Sequence, residues 1–218
     1  MEVKNHVEIG DRLKRKETER LIAGKGTFVD DVQPAGALYV AFVRSIYAHA
    51  RIKQIDTRPA LSIPGVHAAV TGRDIQADLA EVRGGPVRDI KIYPLAMDKV
   101  RYVGEPIAAV VAESRYLAED GTEAVVVDYE ALPAVVDPER AMAASSTKLF
   151  DELKSNIVYE FHFSTPDLDQ VFRNADLVIS ERLNSQRLTP FPMEPRAYCA
   201  EYDPRSGLLT CWASTAGA

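Results

Sequence analysis

Cysteine is scarce in this sequence: only Cys199 and Cys211 occur among 218 residues. Two thiols cannot build a disulfide-stapled scaffold, a four-thiolate zinc site or a self-contained iron–sulfur cluster. A basic surplus is missing as well. Lys and Arg number 26 against 32 Asp and Glu, which leaves a formal charge of −6 and a pI near 5.3. Nucleic-acid and anionic-membrane binders need clustered positive charge, so neither partner is expected. No apolar run approaches the ~20 residues of a membrane-crossing helix. The first twenty residues have no apolar core of the kind a secretory signal carries. The expectation is a soluble, cytoplasmic protein. With 46% hydrophobic and 27% charged residues, the composition is that of a folded globular chain rather than a disordered one. The length suits one large domain or two small ones.

Familiar catalytic signatures are missing too. No Gly-x-Ser-x-Gly elbow occurs. Gly24-Lys25-Gly26-Thr27 lacks the glycine of a phosphate loop, because Glu19 stands five residues before Gly24. It also lacks the third glycine of a dinucleotide loop, because Val29 stands there. A structural turn is the reading that remains. The histidines His6, His49, His67 and His162 are scattered, none with a second histidine or cysteine at metal-binding spacing. His49 falls between two extended stretches and reads as a hydrogen-bonded turn residue. Asp30-Asp31 and Glu119-Asp120 are adjacent in sequence and read as solvated. Read for chemistry alone, nothing here builds an active site.

What is present is β pattern with short helices. Asp11–Arg20 mixes both charges and reads as an exposed arm. Leu38–Val43, Ala50–Asp56 and Val66–Thr71 read as strands, with a helical turn at Pro59–Leu61. Residues 75–93, with Gly84-Gly85-Pro86 inside, read as a long surface loop. Ile107–Ala112 is the most apolar strand. Ser114 caps a helix running to Glu123 with Leu117, Gly121, Ala124 and Val125 on one stripe, and Val125–Tyr129 is β again, a strand–helix–strand succession that suggests a βαβ unit. Ala143–Thr147 is the linker. Beyond it, Ile157–Phe163 and Leu177–Leu188 read as strands. Between them lies a helix capped by Thr165 with Pro166 at its first position and Leu168, Val171 and Phe172 on its apolar side. Ala197–Tyr202 and Leu208–Trp212 flank Asp203-Pro-Arg-Ser-Gly207, which is hairpin chemistry. Cys199 and Cys211 fall on these neighbouring strands, and unpaired thiols are expected.

Two stretches stand out as rigid loops at strand mouths. Val103-Gly104-Glu105-Pro106 precedes the most apolar strand, and Pro192-Met193-Glu194-Pro195-Arg196 sets a carboxylate and a guanidinium between prolines. A local ion pair is the plain reading of each, and no chemical role follows for Glu105, Glu194 or Arg196.

The ordered succession Gly24-Lys-Gly-Thr-Phe-Val-Asp-Asp31, Phe42-Val-Arg-Ser45, Ala48-His-Ala-Arg-Ile52, Ile55-Asp-Thr57, Pro64-Gly-Val66, Asp98-Lys-Val-Arg-Tyr102, Gly104-Glu-Pro106, Val127-Asp-Tyr-Glu130 and Leu132-Pro-Ala134 resembles the start of the large, molybdopterin-binding subunit of the molybdenum hydroxylases. These are the xanthine dehydrogenase, aldehyde oxidase and aerobic carbon monoxide dehydrogenase group. Met193-Glu-Pro-Arg196 and Ala200-Glu-Tyr-Asp203 extend the resemblance. It implies an α/β (α+β) fold: a hammerhead-type mixed β-sheet domain with short crossover helices, then an incomplete second β-rich α+β domain. The implied divisions are an arm over 1–23, the hammerhead over 24–143, and the beginning of a molybdopterin-binding domain over 144–218.

The resemblance implies oxidative hydroxylation of an aldehyde, a purine-like heterocycle or CO, with water as the oxygen source. The cofactor would be molybdopterin with Mo, and electrons would leave through 2Fe-2S clusters and FAD on other chains or domains. The family's catalytic, cofactor-binding and metal-proximal residues have no counterpart in these 218 positions, so none is assigned here. The expectation is a fragment or split piece, inactive alone, whose partners are the remainder of the large subunit and the iron–sulfur and FAD subunits. The 104–106 and 193–196 loops would face that remainder, and an open sheet edge after Trp212 would drive oligomerisation. The alternative is a free-standing interaction or assembly module that keeps the hammerhead fold without catalysis.

Overall fold

The computed structural model describes residues 15–78, 90 and 92–215. In chain order its helices are α1 (Thr18–Ile22), α2 (Arg58–Leu61), α3 (Gly72–Ile75), α4 (Arg115–Ala124), α5 (Pro138–Ala141) and α6 (Leu168–Arg173). Its strands are β1 (Tyr39–Arg44), β2 (Ala50–Asp56), β3 (Val66–Thr71), β4 (Lys99–Val100), β5 (Pro106–Ala112), β6 (Val126–Ala131), β7 (Tyr198–Asp203) and β8 (Leu208–Ala213). The chain divides into two compact units, one over 37–181 and one that joins 1–36 to 182–218.

The 37–181 unit is organised around β5. Its sequence, Pro-Ile-Ala-Ala-Val-Val-Ala, carries no polar side chain, and Ile107, Ala108, Val110 and Ala112 are fully buried. A strand apolar on both faces belongs in the middle of a sheet with both edges paired. Here β1 lies on one side (Phe42 opposite Ala109) and β3 on the other (Val70 opposite Ala109), both antiparallel. A second antiparallel sheet has the order β4-β2-β6, with Ile52 opposite Tyr129. Ile107 packs with Ala50, Ile52, Ala96 and Val100 of that sheet and its approaches, while Val110 packs with Ala60 of α2 and Val125. One strand thus serves both core clusters.

Helix α4 begins where Ser114, in extended backbone, accepts a hydrogen bond from the Leu117 N–H at 3.2 Å, satisfying one of the free donors of the first turn. The helix lies close on the sheet. A Cβ on Gly121 would stand 2.6 Å from Val110 Cγ1, so the glycine is required by proximity rather than by conformation.

The α+β class is as expected, with small sheets and few helices. The βαβ reading is corrected: β5 and β6 belong to different sheets. Both edges of β5 are already taken by β1 and β3, so the strand leaving α4 pairs with β2 instead. Ile157–Phe163 and Leu177–Leu188 are also not strands. A strand exists only where its backbone groups find a partner, and no ladder forms on either segment among the described residues. Their side chains stand in the open, Phe163 at 81% and Leu183 at 91% exposure. Helix α6 starts two residues later than expected, after Asp167, whose φ of 63° places it in the left-handed region, with no side-chain cap. The loop expected over 75–93 falls largely outside the described residues. Where it is described, Gln76–Asp78 is a 3-10 turn, and Ile90 is buried.

In the other unit β7 and β8 form the expected hairpin. Gly207 closes the turn at φ +71°, donating its N–H to the Asp203 carbonyl at 2.8 Å, while the Asp203 carboxylate accepts from the Arg205 N–H and the Ser206 hydroxyl. Cys199 is opposite Trp212, and Cys211 is opposite Ala200. Directly opposed residues share a face, so the two thiols project to opposite faces of the ribbon, and both are free.

Gly121→Ala is expected to destabilise the 37–181 unit by about 1–3 kcal/mol through overpacking against Val110, although alanine alone would favour the helix by about 1 kcal/mol. Urea unfolding of the variant checks the sign; a gain in stability would mean that α4 is not held this close.

Candidate functional site

The two loops marked in the sequence are built differently and belong to different units. At the mouth of β5, Gly104 takes φ +90°, a conformation that strains any side chain. Its N–H donates to the Ser45 carbonyl at 2.8 Å, and the Ser45 N–H donates to the Glu105 carbonyl at 2.9 Å. The Arg44 guanidinium reaches the Gly104 carbonyl at 2.9 Å. The β1–β5 pairing is thereby carried past the register shift at Val43/Arg44 and into the turn.

Glu105 turns its carboxylate back on the chain. It accepts the Arg101 N–H in a short hydrogen bond and lies 3.9 Å from the Arg101 guanidinium. Burial pushes this carboxyl above the ordinary glutamate range, against the downward pull of the Arg101 N–H, the Arg101 guanidinium and the Tyr102 N–H. The product is a rigid tip whose exposed members are Tyr102 and Val103. Such a tip can present an apolar contact with little ordering left to do; it carries no nucleophile.

In the 192–196 loop Glu194 does not pair with Arg196. It accepts the Val29 N–H at 3.3 Å instead. Ser214 fixes the other end: its hydroxyl donates to the Pro195 carbonyl at 2.9 Å and accepts from the Ala197 N–H at 2.7 Å. Met193 and Arg196 remain exposed.

His49 is a buried turn residue, as expected, with Nδ1 2.8 Å from the Pro133 carbonyl. Donation to that oxygen fixes the tautomer and leaves Nε2 buried without a hydrogen-bond partner. His67 and His162 sit on the surface beside Glu113 and Glu160, and His6 lies outside the described residues. No group of three His, Cys, Asp or Glu side chains suited to a metal ion occurs among the described residues. A cleft of about 180 Å³ opens at the irregularity between Ile52 and Gln54, walled by Lys53, Thr71, Gly72, Arg73 and Met97. Two of its polar side chains are engaged: Arg73 with Asp98 at 2.9 Å, and Thr71 with Asp74 at 2.7 Å.

Residues 23–133 match the family model described as aldehyde oxidase and xanthine dehydrogenase, a/b hammerhead domain. The chain belongs to that family. Residues 149–218 match the molybdopterin cofactor-binding domain. Relatives include the nicotine 6-hydroxylase large subunit of Paenarthrobacter nicotinovorans, 37% identical over 95% of this chain and 26% of its own length. The carbon monoxide dehydrogenase large chain of Afipia carboxidovorans is 36% identical over 94% of this chain and 27% of the relative. Among solved structures, quinoline 2-oxidoreductase from Pseudomonas putida 86 superimposes with a TM-score of 0.84 at 34% identity, covering 93% of this chain and 26% of that one. The chain thus spans about a quarter of the length of the curated relatives it matches.

Molybdopterin, which this family implies, does not fit the cleft beside Gly72. Pockets that enclose ligands of that size run to roughly 300–1,000 Å³. The cleft beside Gly72 is smaller, and a Cβ on Gly72 itself would stand 2.9 Å from the Leu95 carbonyl.

Neither loop was fully legible beforehand. The rigid turn at Gly104 was, because a glycine that admits close approach and a proline that fixes the turn stand together at a strand mouth; its left-handed backbone was not read. The Glu194–Val29 contact was not, because a side chain accepting from a backbone N–H 165 residues away leaves no local pattern.

Glu105→Gln keeps a carbonyl oxygen for the Arg101 N–H and removes a half-buried charge, so it should cost little. Glu105→Ala leaves that N–H unpaired and should cost about 1–3 kcal/mol. Because the folded carboxyl titrates above its ordinary 4.5, its contribution to stability is complete below that value and is lost as pH rises through the shifted one. Urea unfolding at about pH 4 and about pH 7 should therefore show a pH dependence that Glu105→Gln flattens. An identical slope in wild type and Glu105→Gln would refute the assignment.

Proposed function

We propose that this chain serves as the first quarter of the large, molybdopterin-binding subunit of a molybdenum-containing hydroxylase. Its part is to scaffold the cofactor-binding remainder, and the reacting groups lie elsewhere. The observation that carries this reading is the tandem match, hammerhead then molybdopterin-binding domain, in the same order as large subunits of which the chain spans about a quarter. We place the division between the two parts at residues 143/144, supported by family matches that end at 133 and begin at 149. The reaction class is oxidative hydroxylation with water as the oxygen source, and the molybdenum cofactor supplies the two-electron chemistry when bound. Several relatives carry names of nitrogen heterocycles and of carbon monoxide; these define the substrate range to test.

On this reading the chain's own residues act mechanically. Glu105, Gly104 and Ser45 hold the Tyr102–Val103 tip, and Glu194 with Ser214 holds the 192–196 loop; both loops would face the remainder of the subunit. Iron–sulfur and FAD subunits complete the assembly in a cytoplasmic complex. No helix among the described residues is long and apolar enough to cross a membrane. The free-standing module is disfavoured, because the matching proteins are large subunits of oxidoreductases.

The test is to purify the 218-residue chain alone and together with a co-expressed polypeptide encoding the remainder of a relative's large subunit. Molybdenum and pterin should be found only in the co-purified complex. Stoichiometric molybdenum, or hydroxylation of nicotine, quinoline or CO, in the chain alone would overturn the reading.

Alone, the chain should also self-associate. One face of the β7–β8 ribbon carries Tyr198, Ala200, Tyr202, Leu209, Cys211 and Ala213, and both of its edges are unpaired among the described residues. Two-stranded ribbons are marginal in water and open edges invite pairing. Light scattering should show mass rising with concentration, and a constant monomer mass would count against it.

A further inference from the structure

Residues 143–147 are small and polar and read as a linker, yet the chain just beyond them is fastened down. Lys99, from β4, has a side chain only 5% exposed, and its Nζ lies 2.9 Å from Asp151 Oδ1 and 3.5 Å from the Lys148 carbonyl. Asp151 itself is 63% exposed. The asymmetry is informative. An ammonium taken out of water needs a partner to stay charged there, whereas the aspartate would be well solvated without the lysine. The strap therefore satisfies the lysine more than the lysine satisfies the strap.

Two residues on, Arg101 makes a second fastening. Its Nε donates to the Leu149 carbonyl at 3.1 Å, its guanidinium carbon lies 4.5 Å from the Phe150 ring centroid, and Nη1 donates to the Lys99 carbonyl at 3.1 Å. Asn156 then closes the segment on itself. Its Oδ1 accepts the Leu149 N–H at 2.9 Å, and its Nδ2 donates to the carbonyls of Thr147 at 3.0 Å and Ala141 at 3.1 Å. One amide thus spans both sides of the 143–147 stretch and satisfies three backbone groups that have no ladder partner.

We propose that residues 147–156 form a strap with two states, closed by Lys99, Arg101 and Asn156, which opens as a unit without unfolding the sheets beneath it. Lys99 and Asn156 are positioning residues in this device. Lys99 couples the strap to the sheet, because opening leaves its ammonium without a partner, and Asn156 holds the strap's shape. Residues from Ile157 onward consequently depart from the strap at a fixed point instead of swinging on a flexible tether. This inference stands on the strap's own contacts and is independent of the enzymatic reading.

Amide hydrogen exchange on the full chain, read by peptide, tests it. Lys99→Met and Asn156→Ala should each speed exchange across 147–156 by roughly tenfold or more, with residues 106–112 of β5 unchanged. Unchanged exchange in the strap would overturn the proposal, and so would equal acceleration in β5, since Lys99 would then be a general core support. Should either variant fail to fold, limited trypsin digestion of the wild-type chain decides: cleavage after Lys148 and Lys154 should lag at least about tenfold behind cleavage after Arg187 in the exposed extended stretch. Equal rates at these sites would mean the strap is open.

Discussion

Burial of β5 on both faces and pairing of both its edges constrain everything else in the 37–181 unit. A seven-residue strand without a polar side chain can lower its free energy only by finding cover above, below and on each side. β1 and β3 supply the edges, the second sheet covers Ile107, and α2 with Val125 covers Val110. Once that is satisfied, topology has little freedom. The strand that follows α4 finds no vacancy beside β5 and joins β2. Gly121 permits α4 to lie at the distance Val110 demands. A local sequence requirement for cover therefore decides a non-local question, namely which sheet each neighbour enters.

Three charged residues of the unit gather just before that buried strand. Lys99, Arg101 and Glu105 lie within seven positions of one another, between β4 and β5, and each is partly or wholly removed from water. They are tolerable there because each meets backbone groups that would otherwise lack partners: the Arg101 N–H, the Leu149 carbonyl, the Lys148 carbonyl. Asp151 shows the same balance from the other side. Its hydrogen bond to the Lys99 ammonium holds its carboxyl below the usual aspartate range, so its contribution is present above the ordinary value and is lost as pH falls through the lowered one. Glu105, raised by burial, has the opposite sign. Two carboxylates that both feel the Arg101 guanidinium thus respond to acid in opposing directions, one loosening the strap while the other relieves a desolvated charge.

The parts of the fold legible from sequence are those whose determinants are local. β5 is a continuous apolar run, α4 has Ser114 and a stripe at helical spacing, and β7–β8 flank a Pro-and-Gly turn; all were readable, as was the turn role of His49. Ile157–Phe163 shows equally clear alternation and is nevertheless not a strand, because alternation reports a preference for a pleated surface, while strand formation needs a neighbour that periodicity does not reveal. The fastening by Lys99, Asp151 and Asn156 was illegible for a related reason. Lys99 was visible only as one letter of a family motif. Nothing in its neighbourhood says that an aspartate some fifty positions later will sit on it.

The exposed apolar side chains between Ile157 and Met193 follow from the same reasoning. Phe161, Phe163, Leu177, Ile179, Leu183, Leu188 and Phe191 are open to solvent in one chain, far more than a soluble surface carries as scattered residues. At roughly 25 cal/mol per Å², leaving them bare forgoes a large part of what could offset chain ordering, so a sequence that keeps them is one whose cover comes from another source. The longer subunit proposed for this chain would provide that cover. The two sheets around β5 complete a core of their own, whereas the extended segments and the β7–β8 ribbon carry exposed apolar side chains. The proposed scaffolding role would draw on the stiffness that Glu105, Lys99 and Asn156 give the turn at the mouth of β5 and the strap.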